Sequence, residues 1–345
     1  MQTIPRRGAP LLACAALTLA AGAAAAQSSV TIYGRIDLGV RYGPADLLKS
    51  DDRMWAVEDS STGRIGFRGV EDLGGGVSAF FQLEHRLKAD TGMVDGGVFW
   101  KDKAWVGLAS KTLGSVQLGR MSSPQDNLGV NGRFEAFGGD SYASNGSRGA
   151  KSAAKWDNTV YYTTPFLSGF TAGVAVAAGE GTRKRAQGFH LDYANGPLVL
   201  ATTFQTEQDP VSGAPSGNGI RTVTLGGSYQ FGFAKPSFTY ARSTDLGASD
   251  EGKETVWTVG ARIPAGPGEL RVSFRRIDGD RVNGSTHAAD RKSHRLGVGY
   301  QYFLSKRSTL NLSLVNDQVK TFNANGSTKT DFSGNGFELA LRHNF

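Results

Sequence analysis

Proline and cysteine are scarce in this chain of 345 residues, with 11 of the first and one of the second. The lone cysteine, Cys14, falls within residues 1–26, which read as an export leader. Arg6 and Arg7 form a basic start, Leu11 to Leu19 an apolar stretch, and Ala24-Ala25-Ala26 a cleavage site before Gln27. A lipoprotein reading of Leu11-Leu12-Ala13-Cys14 fits less well, because only Gly8 to Ala13 separate the arginines from the cysteine. Cleavage after Ala26 leaves 319 residues (345 less 26) with no cysteine. Disulfides, thiolate metal sites and a cysteine nucleophile are thereby excluded together.

Long apolar runs are also missing. After residue 26 nothing approaches the ~18 consecutive apolar residues of a membrane helix. Mean hydropathy is −0.29, which does not argue against a membrane protein, since a barrel turns only alternate residues to lipid. Charge of one sign is not concentrated either. The net charge of +7 falls to +5 when Arg6 and Arg7 leave, and the longest basic run is Arg183-Lys184-Arg185, so no nucleic-acid partner is expected. No G-x-S-x-G or P-loop is present, and His85, His190, His287, His294 and His343 stand apart from one another and from acidic clusters. No catalytic residues, no metal and no cofactor are expected. The enzyme alternative is an outer-membrane protease or lipase barrel, for which His287 with Asp278, Asp280 and Ser285 offers only a chance-level constellation.

What the sequence does have is alternation and 47 glycines. At the C-terminus Phe337, Leu339, Leu341, His343 and Phe345 share one face of a strand, and Glu338, Ala340, Arg342 and Asn344 the other. Val30 to Tyr42 repeats the pattern. Sixteen such segments run through the chain, among them 63–72, 76–87, 101–110, 115–121, 268–277, 292–302, 308–316 and 335–345. Short glycine- or asparagine-bearing turns such as 72–76, 111–114 and 265–268 alternate with longer polar connections, including 43–62, 88–100, 122–155, 278–291 and 317–334. Alternation of short and long connections is the signature of an antiparallel up-and-down transmembrane β-barrel with short periplasmic turns and long external loops. An even strand count also lets the last strand close on the first, leaving no open edge in hydrocarbon. One barrel domain over 27–345 is expected. A soluble secreted β-sandwich is the remaining alternative, and it would place its aromatics mid-strand. Here Tyr161, Tyr162, Tyr193, Tyr229, Tyr300, Tyr302 and Phe345 sit near strand ends, as interfacial girdles require.

Several stretches resemble the general, non-specific porins of Gram-negative outer membranes. They are Gln27 to Asp37, Ser61 to Gly76, Ala104 to Leu108, Gln117 to Arg120, Tyr161 to Pro165 and Arg342 to Phe345. The resemblance implies a sixteen-stranded barrel, a homotrimer in outer-membrane lipid and lipopolysaccharide, insertion by the barrel assembly machinery, and passive diffusion of small ions and hydrophilic solutes. It also implies that the third long loop, here 122–155, folds into the lumen. Within that loop Glu135-Ala136-Phe137-Gly138-Gly139-Asp140 is similar to the family's constriction motif of proline, glutamate, phenylalanine, two glycines and aspartate. Alanine stands where the motif has its glutamate, and Glu135 is displaced by one. That leaves two outcomes open: a carboxylate turned out of the pore, or one reached through a different rotamer.

Parity assigns the water-filled face independently. Arg35, Arg64, Arg68, Lys101, Lys103 and Arg271 oppose apolar neighbours on their strands, and a charge facing lipid at mid-depth would cost ~2–4 kcal/mol. With Arg120 they are the expected pore-lining bases. Arg35, Arg64 and Lys103 lie nearer mid-strand or, by the resemblance, in register with the family's basic cluster opposite the inserted loop, with Arg68 near the periplasmic turn and Arg275 near the outer mouth. Many inner-wall arginines would serve equally well to hydrate the wall and brace neighbouring strands. Opposite stand only Asp126, Glu135 and Asp140 of the loop, with Phe137, Gly138 and Gly139. The excess of basic groups predicts weak to moderate anion preference, and Phe345 is expected to serve barrel closure and assembly.

Overall fold

A computed structural model describes residues 29–44, 53–127, 132–139, 141–144, 152–180, 185–208, 219–246, 252–283, 286–323 and 325–345. The leader, residues 1–26, lies outside them. Sixteen antiparallel strands follow in chain order. β1 is Ser29–Pro44; β2 runs in two parts, Arg53–Asp59 and Gly63–Gly74; β3 is Val77–Lys88, β4 Lys103–Ser110, β5 Gly114–Ser122, β6 Lys155–Thr163, β7 Phe170–Ala177 and β8 Ala186–Asn195. The second half comprises β9 Leu198–Gln208, β10 Gly219–Tyr229, β11 Lys235–Leu246, β12 Lys253–Ala265, β13 Gly268–Asn283, β14 Thr286–Phe303, β15 Ser308–Phe322 and β16 Thr328–Asn344. Each pairs with its sequence neighbour, and a two-residue ladder, Met93–Val94, extends β3.

The sheet closes where β16 pairs with β1, from Arg35 opposite Asn344 to Tyr42 opposite Phe337. The backbone of Phe345 extends this seam, donating to Gly34 O (3.1 Å) and accepting from Gly34 N (3.0 Å). The Phe345 ring then covers Gly34, so closely that a Cβ there would stand 2.6 Å from Cε2. Closure removes every open edge, each unpaired group of which would cost several kcal/mol in lipid.

The distribution of polarity is the reverse of a soluble core. Leu339 and Leu341 on β16 are about half exposed on the outside, whereas Glu338 and Ala340 between them are buried on the inside. The soluble sandwich therefore finds no support. The inner face of the seam is held by ion pairs. Arg342 meets Asp37 at 2.7 Å and Arg41 meets Glu338 at 3.0 Å. The break in β2 serves the same carboxylates: Ser60 donates to Glu338 (2.6 Å) and Ser61 to Asp37 (2.8 Å).

Four sequence expectations are corrected. Residues 43–62 are not all loop, because Arg53–Asp59 pairs with the outer half of β1. Most of 278–291 and 317–334 is strand: β13 and β14 pair out to Asn283 and Thr286, and β15 and β16 out to Phe322 and Thr328. Polar side chains on both faces hid the alternation there, while the backbone ladder continues beyond the lipid. Lys101 precedes β4, which begins at Lys103. Tyr161 is no girdle residue; it is buried inside the barrel, with its hydroxyl 2.6 Å from His190 Nδ1. Tyr162, Tyr229 and Tyr302 do face outward.

Candidate functional site

The described residues of the connection from β5 to β6 lie against the inner wall, and glycines make room for them. Phe134 is fully buried over Gly226 of β10, Ala136 stands over Gly260 of β12, and Phe137 covers Gly297 and Gly299 of β14. Tyr142 reaches the seam, where a Cβ at Gly336 would stand 2.7 Å from its ring carbon Cζ. All these glycines point inward, by the alternation of burial along their strands. Any larger residue on that stripe would push the loop off the wall.

Polar contacts fix what the aromatics dock. Arg262 of β12 donates to the Ala136 carbonyl (2.7 Å) and the Glu135 carbonyl (3.0 Å). Arg295 of β14 donates to the Tyr142 carbonyl and forms a buried pair with Asp317 at 2.7 Å. At the loop's start Gln125 N donates to Gln205 (3.0 Å), and Asp126 pairs with Lys155.

The two outcomes left open for Glu135 are now resolved. Its carboxylate is buried and accepts from the backbone of Phe137 (2.8 Å) and Gly139 (3.0 Å) and from Ser144 Oγ (3.2 Å). It caps its own loop, so the one-residue displacement turns the charge away from the passage. Asp140 lies outside the described residues, as does Ser285, and the side chains of 281–290, His287 among them, are likewise not described.

The basic residues form two groups on the inward parity, each a row of directly opposed cations. Arg35 stands opposite Arg64, and Arg64 opposite Arg86 of β3. Lys235 of β11 stands opposite Arg262, and Arg262 opposite Arg271 of β13. Like charges directly opposed across strands are destabilising, so neither row is explained by stability of the sheet. In the first group the buried carboxylate of Glu84 sits 3.2 Å from Arg86 and 3.9 Å from both Arg64 and Lys103, and accepts from Tyr33 at 2.8 Å. Asp102 meets Arg86 at 2.9 Å and Lys155 at 3.3 Å. Burial alone would push the Asp102 carboxyl up; Lys155, Arg86 and Lys103 around it hold it well below the usual carboxylate range. Arg120 pairs with Asp157 at 2.5 Å and donates to the Lys101 carbonyl. In the second group Arg271 is held by Glu269 and Gln301.

Arg68 lies apart near the short-turn end, its guanidinium 5.4 Å from the Tyr33 ring centre. Lys101 is occupied by Asp95 at 2.8 Å on its loop. Arg275, expected near the outer mouth, is buried opposite Arg295. Sequence reasoning passed over Glu84, Arg86, Lys155 and Arg262. Parity identifies the first two, since Gln82, Glu84 and Arg86 alternate with Phe81, Leu83 and His85. Nothing local marks Arg262 as the residue that holds the loop, because its partners are backbone carbonyls more than a hundred residues away.

A family model described as Gram-negative porin matches residues 13–321. Outer membrane porin protein 32 of Delftia acidovorans is 32% identical over 97% of this chain and 99% of its own length. An outer membrane porin protein of Bordetella pertussis is 30% identical over the same shares. Among solved structures, the anion-selective porin from Comamonas acidovorans superposes with a TM-score of 0.76 at 27% identity, covering 92% of this chain and all of that one. Inverted polarity, a closed sixteen-stranded sheet and a loop seated on its inner wall agree with these likenesses: the chain belongs to the Gram-negative porin family and forms a channel in the outer membrane.

Proposed function

We propose that the channel passes small hydrophilic solutes and ions by passive diffusion and prefers anions. The observation that carries this reading is the charge count on the inner wall. In the first group Arg35, Arg64, Arg86, Lys103, Arg120 and Lys155 face four carboxylates, Glu84, Asp102, Asp126 and Asp157. In the second, Lys235, Arg262 and Arg271 face Glu269. The loop adds no counterweight among its described residues, since Asp126 is paired and Glu135 is buried in its own turn. One unneutralised charge ~8 Å from a permeating ion contributes ~0.5 kcal/mol in a water-like dielectric, less after screening. A few together give a preference of a few-fold to about tenfold. The Comamonas relative's description as anion-selective agrees with this sign.

In this reading Arg35, Arg64, Arg68, Lys103, Arg120 and Arg271 line the water path, and Lys101, paired with Asp95, stands at the outer vestibule. The leader is removed after Ala26, and the barrel of 27–345 assembles as a homotrimer through the assembly machinery in a membrane that contains lipopolysaccharide. The channel does no covalent chemistry.

The test is single-channel recording in a planar bilayer under a KCl gradient. Conductance in groups of three with a reversal potential of the sign for chloride is expected. Lys235→Gln/Arg271→Gln is expected to move that potential toward potassium. A wild-type channel preferring potassium would overturn the anion reading.

A further inference from the structure

The outer surface of the barrel is not uniform. Among the described side chains of β1–β9, every strand lysine and arginine is on the inward parity except Arg120, which sits at the β5 bulge and is paired with Asp157, whereas β10–β15 carry six that point outward: Arg221, Arg242, Lys253, Arg276, Lys292 and Lys320. They lie in register. One row of directly opposed residues runs Val223, Arg242, Thr255, Asp278, Lys292, Lys320 and Asp331 across seven strands. Arg221, Thr244, Lys253 and Asp280 form the row one step nearer the long loops. Tyr240, Trp257, Arg276 and His294 form the row one step nearer mid-depth. Three acids share this surface: Asp278 with Arg276 at 2.7 Å, Asp331 with Lys320 at 2.7 Å, and Asp280, so cations exceed them by three.

Beneath this belt the outward residues are apolar, Phe238, Val259, Phe274 and Leu296 in one row. The Tyr240 and Trp257 rings, 4.6 Å apart with Trp257 half exposed, mark the boundary. Cations, then an aromatic pair, then an apolar wall match level by level the phosphates, the interfacial region and the chains of a phosphorylated lipid. Charges at this level cost little, because the lipid-face penalty falls to ~0–1 kcal/mol at the interface.

We propose that the β10–β15 sector binds the phosphorylated headgroups of the outer-leaflet glycolipid, and that β1–β9 does not. Arginine forks and lysine ammoniums at the belt contact phosphate oxygens, the aromatic pair lies against the sugar and upper acyl region, and the apolar rows take the chains. The inference rests on the outer-membrane channel reading, with the long loops outside, and gives its lipid contact a location.

The experiment titrates diphosphorylated lipid A into detergent-solubilised, folded protein at ~0.15 M salt, with phosphatidylcholine as the neutral comparison, read by native mass spectrometry. Arg242→Ser/Lys292→Ser/Lys320→Ser is expected to weaken lipid A binding by tenfold or more, since one cation near an anionic surface is worth ~1 kcal/mol, or about fivefold, before screening. Lys111→Ser/Lys306→Ser/Arg307→Ser removes the same charge at the short turns and is expected to leave binding within about twofold of wild type. Wild-type binding is expected to weaken as salt rises. Equal loss in both triple variants, no loss in the belt variant, or salt-independent binding by the wild type would each overturn the proposal. Conductance of the same preparations reads the channel assignment separately, because the belt does not face the water path.

Discussion

Replacing Gly226 by alanine places a methyl group where Phe134 now lies. Two ring carbons would stand 2.9 and 3.2 Å from the new Cβ and a third closer still, and no other group is among its nearest neighbours. Carbon atoms rest at ~3.5–4.0 Å, so the ring must retreat by about an ångström from a position where it is fully buried. Overpacking of this kind costs ~1–3 kcal/mol. The strain should fall on the loop rather than the barrel, because the β10 backbone is held by ladders on both sides. Amide exchange of residues 132–139 reads the opening free energy of the loop directly. In the Phe134→Ala background the methyl group meets a vacant site, and Gly226→Ala should then cost close to nothing. The cycle is therefore expected to show a coupling of ~1–3 kcal/mol, accompanied by noisier single-channel current in Gly226→Ala alone. If Gly226→Ala costs the same with phenylalanine or alanine at 134, the glycine does not serve to seat the ring and the docking argument fails.

Glu135→Gln should leave the reversal potential within experimental error, since that carboxylate faces its own loop, while weakening loop protection by ~1–3 kcal/mol through lost charged hydrogen bonds; a clear shift of selectivity would show the charge acts on permeating ions. Asp102 has a folded pKa below its unfolded value near ~3.9, so its contribution is fully present above that value and is lost only as pH falls through the depressed one. The difference in thermal midpoint between wild type and Asp102→Asn should accordingly stay constant from pH 8 to about 5 and shrink below about 4, and a difference that already collapses near pH 6 would contradict the Lys155–Asp102–Arg86 arrangement. Phe345→Ala uncovers Gly34 at the seam and should lower the yield of heat-modifiable barrel; normal assembly would remove the terminal ring from the closure mechanism.

The lipid-spanning part of this fold was legible because lipid and water impose opposite demands on alternate residues. Leu339 and Leu341 against Glu338 and Arg342 mark a strand with one apolar and one polar face. Where polar residues occupy both faces, as in Asp278 to Asp280 or Asp317 to Thr321, that contrast vanishes, and strands continue unseen. The basic residues of the site were legible for the same reason of parity. Their groupings were not, because rows such as Lys235, Arg262 and Arg271 are created by register across hairpins. The fate of Glu135 was the least legible of all. It depends on where the Phe137 and Gly139 amides point once Phe137 is seated on β14, which the spacing of the motif does not encode.

The seating of Tyr142 has a consequence for the order of events during folding. Its dock is made from Gly43 on the first strand, Arg295 on the fourteenth and Gly336 on the last. That pocket is complete only when the first and last strands meet. A newly closing barrel is therefore wide before it is narrow, and the aperture acquires its final calibre only after the final strand is in place.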